Sequence, residues 1–131
     1  MGGGQRVESV RAERIGIGAG FASCLYRLYP TYGGPEHGPP TLILKLPSDN
    51  PDIQRVQSSD IAFREVRFYR DVARAFECPV PHIHFSDYEP VRGSSSVVME
   101  DLAGITSGFE ASVAESEAAM RALARLHARF W

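Results

Sequence analysis

Lys45, in the segment TLILKLP from Thr41 to Pro47, is the only lysine among fourteen basic residues. Either this is chance, or the position needs a compact ammonium on a flexible stem, which the planar fork of arginine does not replace. A second feature is the run GIGAGFAS, in which Gly16, Gly18 and Gly20 precede Ser23. Glycines let backbone amides approach a polyphosphate closely, at φ values closed to other residues. The third is Glu65, a carboxylate inside an apolar helical pattern.

These residues need elements to hold them. RIGIGAGFASCLYRLYP alternates apolar and polar residues around the glycines, which predicts strand, tight turn, strand. TYGGPEHGPP is punctuation for a long hairpin loop, and TLILKLP predicts a third strand carrying Lys45. The period then changes to helical over Asp60 to Phe76. PHIHFSDYE and SSSVVME predict two more strands flanking EPVRGS, LAGITSGFEASV is a linker, and AESEAAMRALARLHARFW is an amphipathic helix.

On a wheel of about 100° per residue, Ile61, Ala62, Val66, Phe68, Tyr69, Val72, Ala73 and Phe76 share one arc, opposite Arg64, Arg67, Arg70, Asp71 and Arg74. Glu65 falls near the centre of the apolar arc. Burying it there without a partner costs several kcal/mol, so the wheel asks for a cation on the facing strand, and Lys45 is the candidate. The alternatives are a rotated helix or a glutamate that reaches a nearby arginine.

Other patterns exclude functions. At 131 residues with net charge -2 and scattered arginines, the chain allows one small domain, or part of a larger one, and lacks the basic footprint of a nucleic-acid binder. Cys24 and Cys78 have no metal-like spacing and suit a reducing, cytoplasmic setting. The N-terminus has no apolar signal core, Arg6 stands where a myristoylation signal wants Ser or Thr, and no apolar run suits a membrane span. A dinucleotide fold would need the glycines to open a helix, yet FASCLYRLY reads as strand. His82 and His84 share a strand face but lack a third ligand, Asp87 to Glu89 read as a strand end, and His127 reads as a packed helix histidine.

In combination, a glycine loop between strands, a lysine on the third strand, a glutamate inside the next helix and two strands ending VVMEDLAG resemble the N-terminal lobe of the protein-kinase-like fold. REVRFYRDV, PVPHIHFSD, MEDLAG and LARLHARFW resemble more narrowly the aminoglycoside phosphotransferase and choline/ecdysteroid kinase-like group. The resemblance runs from about Arg14 onward. It implies an α+β lobe, with an antiparallel sheet of about five strands and one packed helix, transferring the γ-phosphate of ATP to the alcohol of a small substrate.

The resemblance also implies residue roles. Lys45 would hold the α- and β-phosphates and Glu65 would orient it. The loop from Gly16 through Gly18 and Gly20 to Ser23 would cover the phosphates. Met99 would back the adenine pocket, the Glu100 carbonyl would accept from the exocyclic amine, and the Leu102 amide would donate to the ring. Asp101 would cap or brace the turn.

The catalytic-loop motif HGDxxxxN and the later aspartate that holds Mg in this family do not occur in the sequence. The expected organisation is a flexible tail over 1–13, a nucleotide-cradling lobe over 14–102, a linker over 103–114, and over 115–131 the first helix of a truncated second lobe. No catalytic residue and no metal ligand is expected in this chain, so it should be inactive alone. The apolar edge of the last helix is expected to self-associate or to lose its order. The alternative is a non-catalytic nucleotide-binding or protein-interaction module.

Overall fold

The computed structural model describes residues 6–17, 22–35, 38–56, 59–75, 79–103 and 110–130. Its architecture is α+β. Five strands, β1 (Arg6–Ile15), β2 (Ser23–Gly33), β3 (Leu42–Pro47), β4 (Ile83–Glu89) and β5 (Ser94–Glu100), form one sheet in the order β1-β2-β3-β5-β4. Every neighbouring pair is antiparallel.

The sequence reading places residues 1–13 in a flexible tail, and the structure corrects this. Arg6 to Glu13 belong to β1, paired from Arg6↔Gly33 to Ile15↔Leu25 with a bulge between Val7 and Ser9. The strand was hidden because nearly all of it is exposed, so no buried face imposes an alternation. What holds it is the ladder and cross-strand contacts. Arg11 lies over the ring of its partner Tyr29, 3.7 Å from the centroid, and the Tyr29 hydroxyl donates to Glu13 at 2.9 Å. Because β3 pairs with β2 only over Ser23 to Leu28, the far half of the β1–β2 ribbon stands beyond the sheet.

Two helical features also depart from expectation. A short helix, α1 (Pro51–Val56), follows β3, with the Asp52 amide donating to the Asn50 side chain at 2.9 Å. Asn-Pro-Asp is a start signal in the sequence: a side-chain N-cap, a proline at the first helical position and an acid in the first turn. The long helix is interrupted. α2 (Ser59–Arg67) gives way to a π-helical turn, Phe68–Val72, in which the Ala73 amide donates to the Phe68 carbonyl at 2.9 Å. Phe76 lies outside the described residues.

The last helix, α3 (Val113–Phe130), starts two residues before the expected boundary. Its start is a capping box: the Ser112 amide donates to Glu115 at 2.7 Å, and the Glu115 amide donates to the Ser112 hydroxyl at 3.3 Å. Arg121 pairs with Glu117 one turn earlier, as the spacing predicts. None of its described residues is buried, so His127 is exposed where the sequence suggests packing. No helix among the described residues is long and apolar enough to cross a membrane.

The packed centre is small. Among the described residues the buried apolar side chains are Cys24, Val66 and Val97, the two valines at 1% exposure each. α2 packs on β5 and β4, and Phe63 on its outer edge meets Tyr88 with ring centroids 5.2 Å apart. With so few fully buried groups, each carries a large share of the cooperativity. Val97→Ala is expected to destabilise the fold by about 2 kcal/mol, from lost transfer energy plus a cavity. Urea unfolding followed by circular dichroism measures this, with the slope unchanged.

Candidate functional site

The sheet register decides which side chains share a face. Directly opposed residues of an antiparallel pair point to the same side. Leu25 on β2 and Val97 on β5 both oppose Lys45 on β3, and Ser23 opposes Pro47, so Ser23, Leu25, Lys45 and Val97 lie on one face. α2 covers part of that face. Lys45 Nζ donates to Glu65 Oε1 at 2.6 Å, the ion pair that the helical wheel called for. The two side chains retain 30% and 23% exposure, so the pair is half-buried and stands at the edge of a cavity.

That cavity has a volume of about 550 Å³, within the range of small-molecule sites. Its described walls include Ser23, Lys45, Glu65, Gln54 of α1, Arg92 from the β4–β5 connection and Ser95 at the start of β5. Ile61, expected in the core, is instead exposed and lines this cavity. The carboxylate of Glu65 has a second neighbour, the Tyr69 hydroxyl at 3.5 Å. Burial first, then the charge and hydrogen bonding of Glu65, push the Tyr69 phenol above its ordinary value, so it remains a neutral donor.

Of the residues singled out from the sequence, Ser23, Lys45 and Glu65 come together here. Gly16 sits at the end of β1 with φ +67°, a left-handed conformation that glycine adopts freely. Gly18 and Gly20 lie outside the described residues. Met99, Glu100 and Leu102 are not in the described walls of the cavity. Met99 opposes Ile43, one pleat further along the face from Lys45. Glu100 is exposed and clamps the start of β4: its amide donates to the His82 carbonyl at 2.9 Å and its carboxylate accepts from the His82 amide at 2.8 Å. Leu102 is exposed after the strand.

Asp101 braces this turn. Its carboxylate accepts from Arg27 Nε at 2.7 Å and from the Ala103 amide at 3.1 Å, and its side chain is only 5% exposed. Burial opposes its ionisation, but the hydrogen bonds from Arg27 and Thr41 outweigh it and hold the carboxyl below the ordinary range. His82 and His84 meet edge to face with centroids 4.6 Å apart, yet no group of three His, Cys, Asp or Glu among the described residues could hold a metal.

The sequence reading missed Arg92, Gln54, Ser94 and Ser95. The signal was the run RGSSS at the start of the fifth strand, three hydroxyls after an arginine and a glycine in a tight turn. Nothing in its local pattern says that the turn faces Lys45; only the fold brings them together.

Two outcomes test this geometry. Lys45→Ala is expected to cost about 1–2 kcal/mol, between the values for exposed and buried pairs, because Glu65 loses its partner while half-buried. Adding Glu65→Gln should recover part of the lost melting temperature. Asp101 has a folded pKa below its unfolded value, so its contribution is present above the ordinary aspartate range and is lost as pH falls below it. Asp101→Asn is expected to flatten the acid limb of a stability–pH profile; an unchanged limb would assign that stability elsewhere.

Set against protein-family models, curated proteins and solved structures, the chain matches none.

Proposed function

We propose that this chain is the nucleotide-cradling lobe of a small-molecule phosphotransferase and binds ATP along the β3–β5 pair. The observation that carries this reading is the single lysine held at 2.6 Å by Glu65 on the wall of a cavity of about 550 Å³, beside the Ser23 hydroxyl. An ammonium fixed by a carboxylate across a strand and a helix is a device for holding phosphate oxygens in place. The base would lie toward Met99, with the backbone of Glu100 and Leu102 as its polar contacts. Transfer of the γ-phosphate to an alcohol rests on the resemblance to the aminoglycoside phosphotransferase and choline/ecdysteroid kinase-like group. Among the described residues the cavity contains one carboxylate, Glu65, which is engaged with Lys45. The chain's own groups thus bind and orient, and the described residues offer magnesium no ligand set.

Titration of ATP into labelled protein, followed by amide chemical shifts, tests the reading. Weak, millimolar binding is expected, with shifts at Ser23, Lys45 and Val97 that Lys45→Ala abolishes and Lys45→Arg does not restore. Shifts confined to other residues would overturn it, and tight magnesium-dependent binding by this chain alone would contradict the expected weak affinity.

A second reading, an interaction module, is favoured by α3, where Val113, Met120 and Leu123 are exposed along one side. The helix carries Glu115 and Glu117 in its first half and Arg121, Arg125 and Arg129 in its second. Two copies packed antiparallel would set opposite charges together. Light scattering is expected to give a mass that rises with concentration, and Leu123→Glu to abolish the rise. A constant monomer mass with strong amide-exchange protection across 123–130 would refute pairing.

A further inference from the structure

We infer that Arg92, on the turn between β4 and β5, is the recognition residue for the terminal phosphate of the bound nucleotide, an inference that rests on the reading of the cavity as a triphosphate site. The charge on the cavity wall motivates it. Among the described lining residues three are charged: Lys45, Glu65 and Arg92. Lys45 and Glu65 form one ion pair, so their charges offset each other. Arg92 has no ion pair or side-chain hydrogen bond among the described residues and supplies the net positive charge. The carboxylate of Glu89, three residues earlier, is occupied by the turn's backbone: it accepts from the Val91 amide at 2.9 Å and the Arg92 amide at 2.7 Å.

Those two bonds also fix the turn. They pin the backbone on either side of Val91, and Gly93 completes the reversal at φ +61°. The guanidinium is therefore presented from an anchored base rather than from a loose loop, which reduces the entropy lost when it closes on a ligand.

The register supplies the direction. Along β5, Val97 is level with Lys45, and Met99 and Ser95 lie two residues to either side on the same face. At about 3.4 Å per residue, each is about 7 Å from the level of Lys45. A nucleotide with its base toward Met99 and its inner phosphates at Lys45 thus runs its last phosphate toward Ser95 and the Arg92 turn. There Arg92, Ser94 and Ser95 all line the cavity, and a planar guanidinium can take two phosphate oxygens at once.

The test compares ATP, ADP and inorganic tripolyphosphate on the wild type and on Arg92→Ala and Arg92→Lys, with binding read by amide shifts and folding by circular dichroism. Arg92→Ala is expected to weaken ATP and tripolyphosphate about tenfold and ADP less than about twofold, the loss typical of one charged hydrogen-bonding group. Arg92→Lys should recover part of it. A folded Arg92→Ala with unchanged ATP affinity overturns the inference, as does an equal loss for ATP and ADP. If nucleotides bind no better than tripolyphosphate, yet Arg92→Ala weakens tripolyphosphate about tenfold, the anion site stands and the nucleotide reading falls. If Lys45→Ala abolishes ATP binding while Arg92→Ala does not affect it, the nucleotide reading stands and the assignment of Arg92 falls.

Discussion

The contact between Lys45 and Glu65 sets the rotation of α2 against the sheet. A helix on a sheet can turn about its own axis at little cost while its contacts are apolar and interchangeable. A hydrogen-bonded ion pair removes that freedom, because a half-buried carboxylate turned away from its cation would be stranded. With Glu65 over β3, the next residue, Val66, is fully buried, and Val97 beside Lys45 is buried too. The polar pair and the apolar centre are two results of one helix angle.

A second polar network fixes the cavity from the side of α1. Ser48 is buried, and its hydroxyl accepts from the Asn50 amide at 3.3 Å while its carbonyl accepts from the Gln54 side chain at 2.7 Å. Arg14 on β1 grips Asp49 with both terminal nitrogens, at 2.7 and 3.2 Å, and reaches the Cys24 sulfur at 3.3 Å. The connection from β3 to α1 is thereby tied to the far edge of the sheet. Hydrogen bonds rather than packing hold this wall, which suits a segment that borders solvent.

Elements whose signal is local were legible in the sequence, and those whose signal depends on partners were not. The apolar run of TLILKLP after its Pro/Gly loop and the short segment SSSVVME marked β3 and β5, and the helical period alone set Glu65 toward Lys45. β1 escaped because a mostly exposed edge strand needs no apolar face, only a neighbour to pair with. α1 was readable in Asn-Pro-Asp, but six residues are too few to show a period. The cavity was half legible: Ser23, Lys45 and Glu65 carry their chemistry in their types and spacing, whereas Arg92 and Ser95 acquire theirs from a strand order that puts β5 beside β3.

The π-helical turn at Phe68–Val72 has its own consequence. A turn of this kind holds one residue more than an α-helical turn, so everything after it is rotated by about a quarter turn or more against an ideal wheel. The wheel drawn for the whole segment is therefore true up to Arg67 and loses phase beyond it. Loss of a single residue from 68–72 would let the helix run on regularly, swinging Ala73 to Ala75 onto a new side while leaving Glu65 and Val66 where they are. The helix thus has two parts set by different partners: its first half answers to Lys45, and the facing of the residues beyond Val72 is set by the π-helical turn, whose Tyr69 still reaches Glu65.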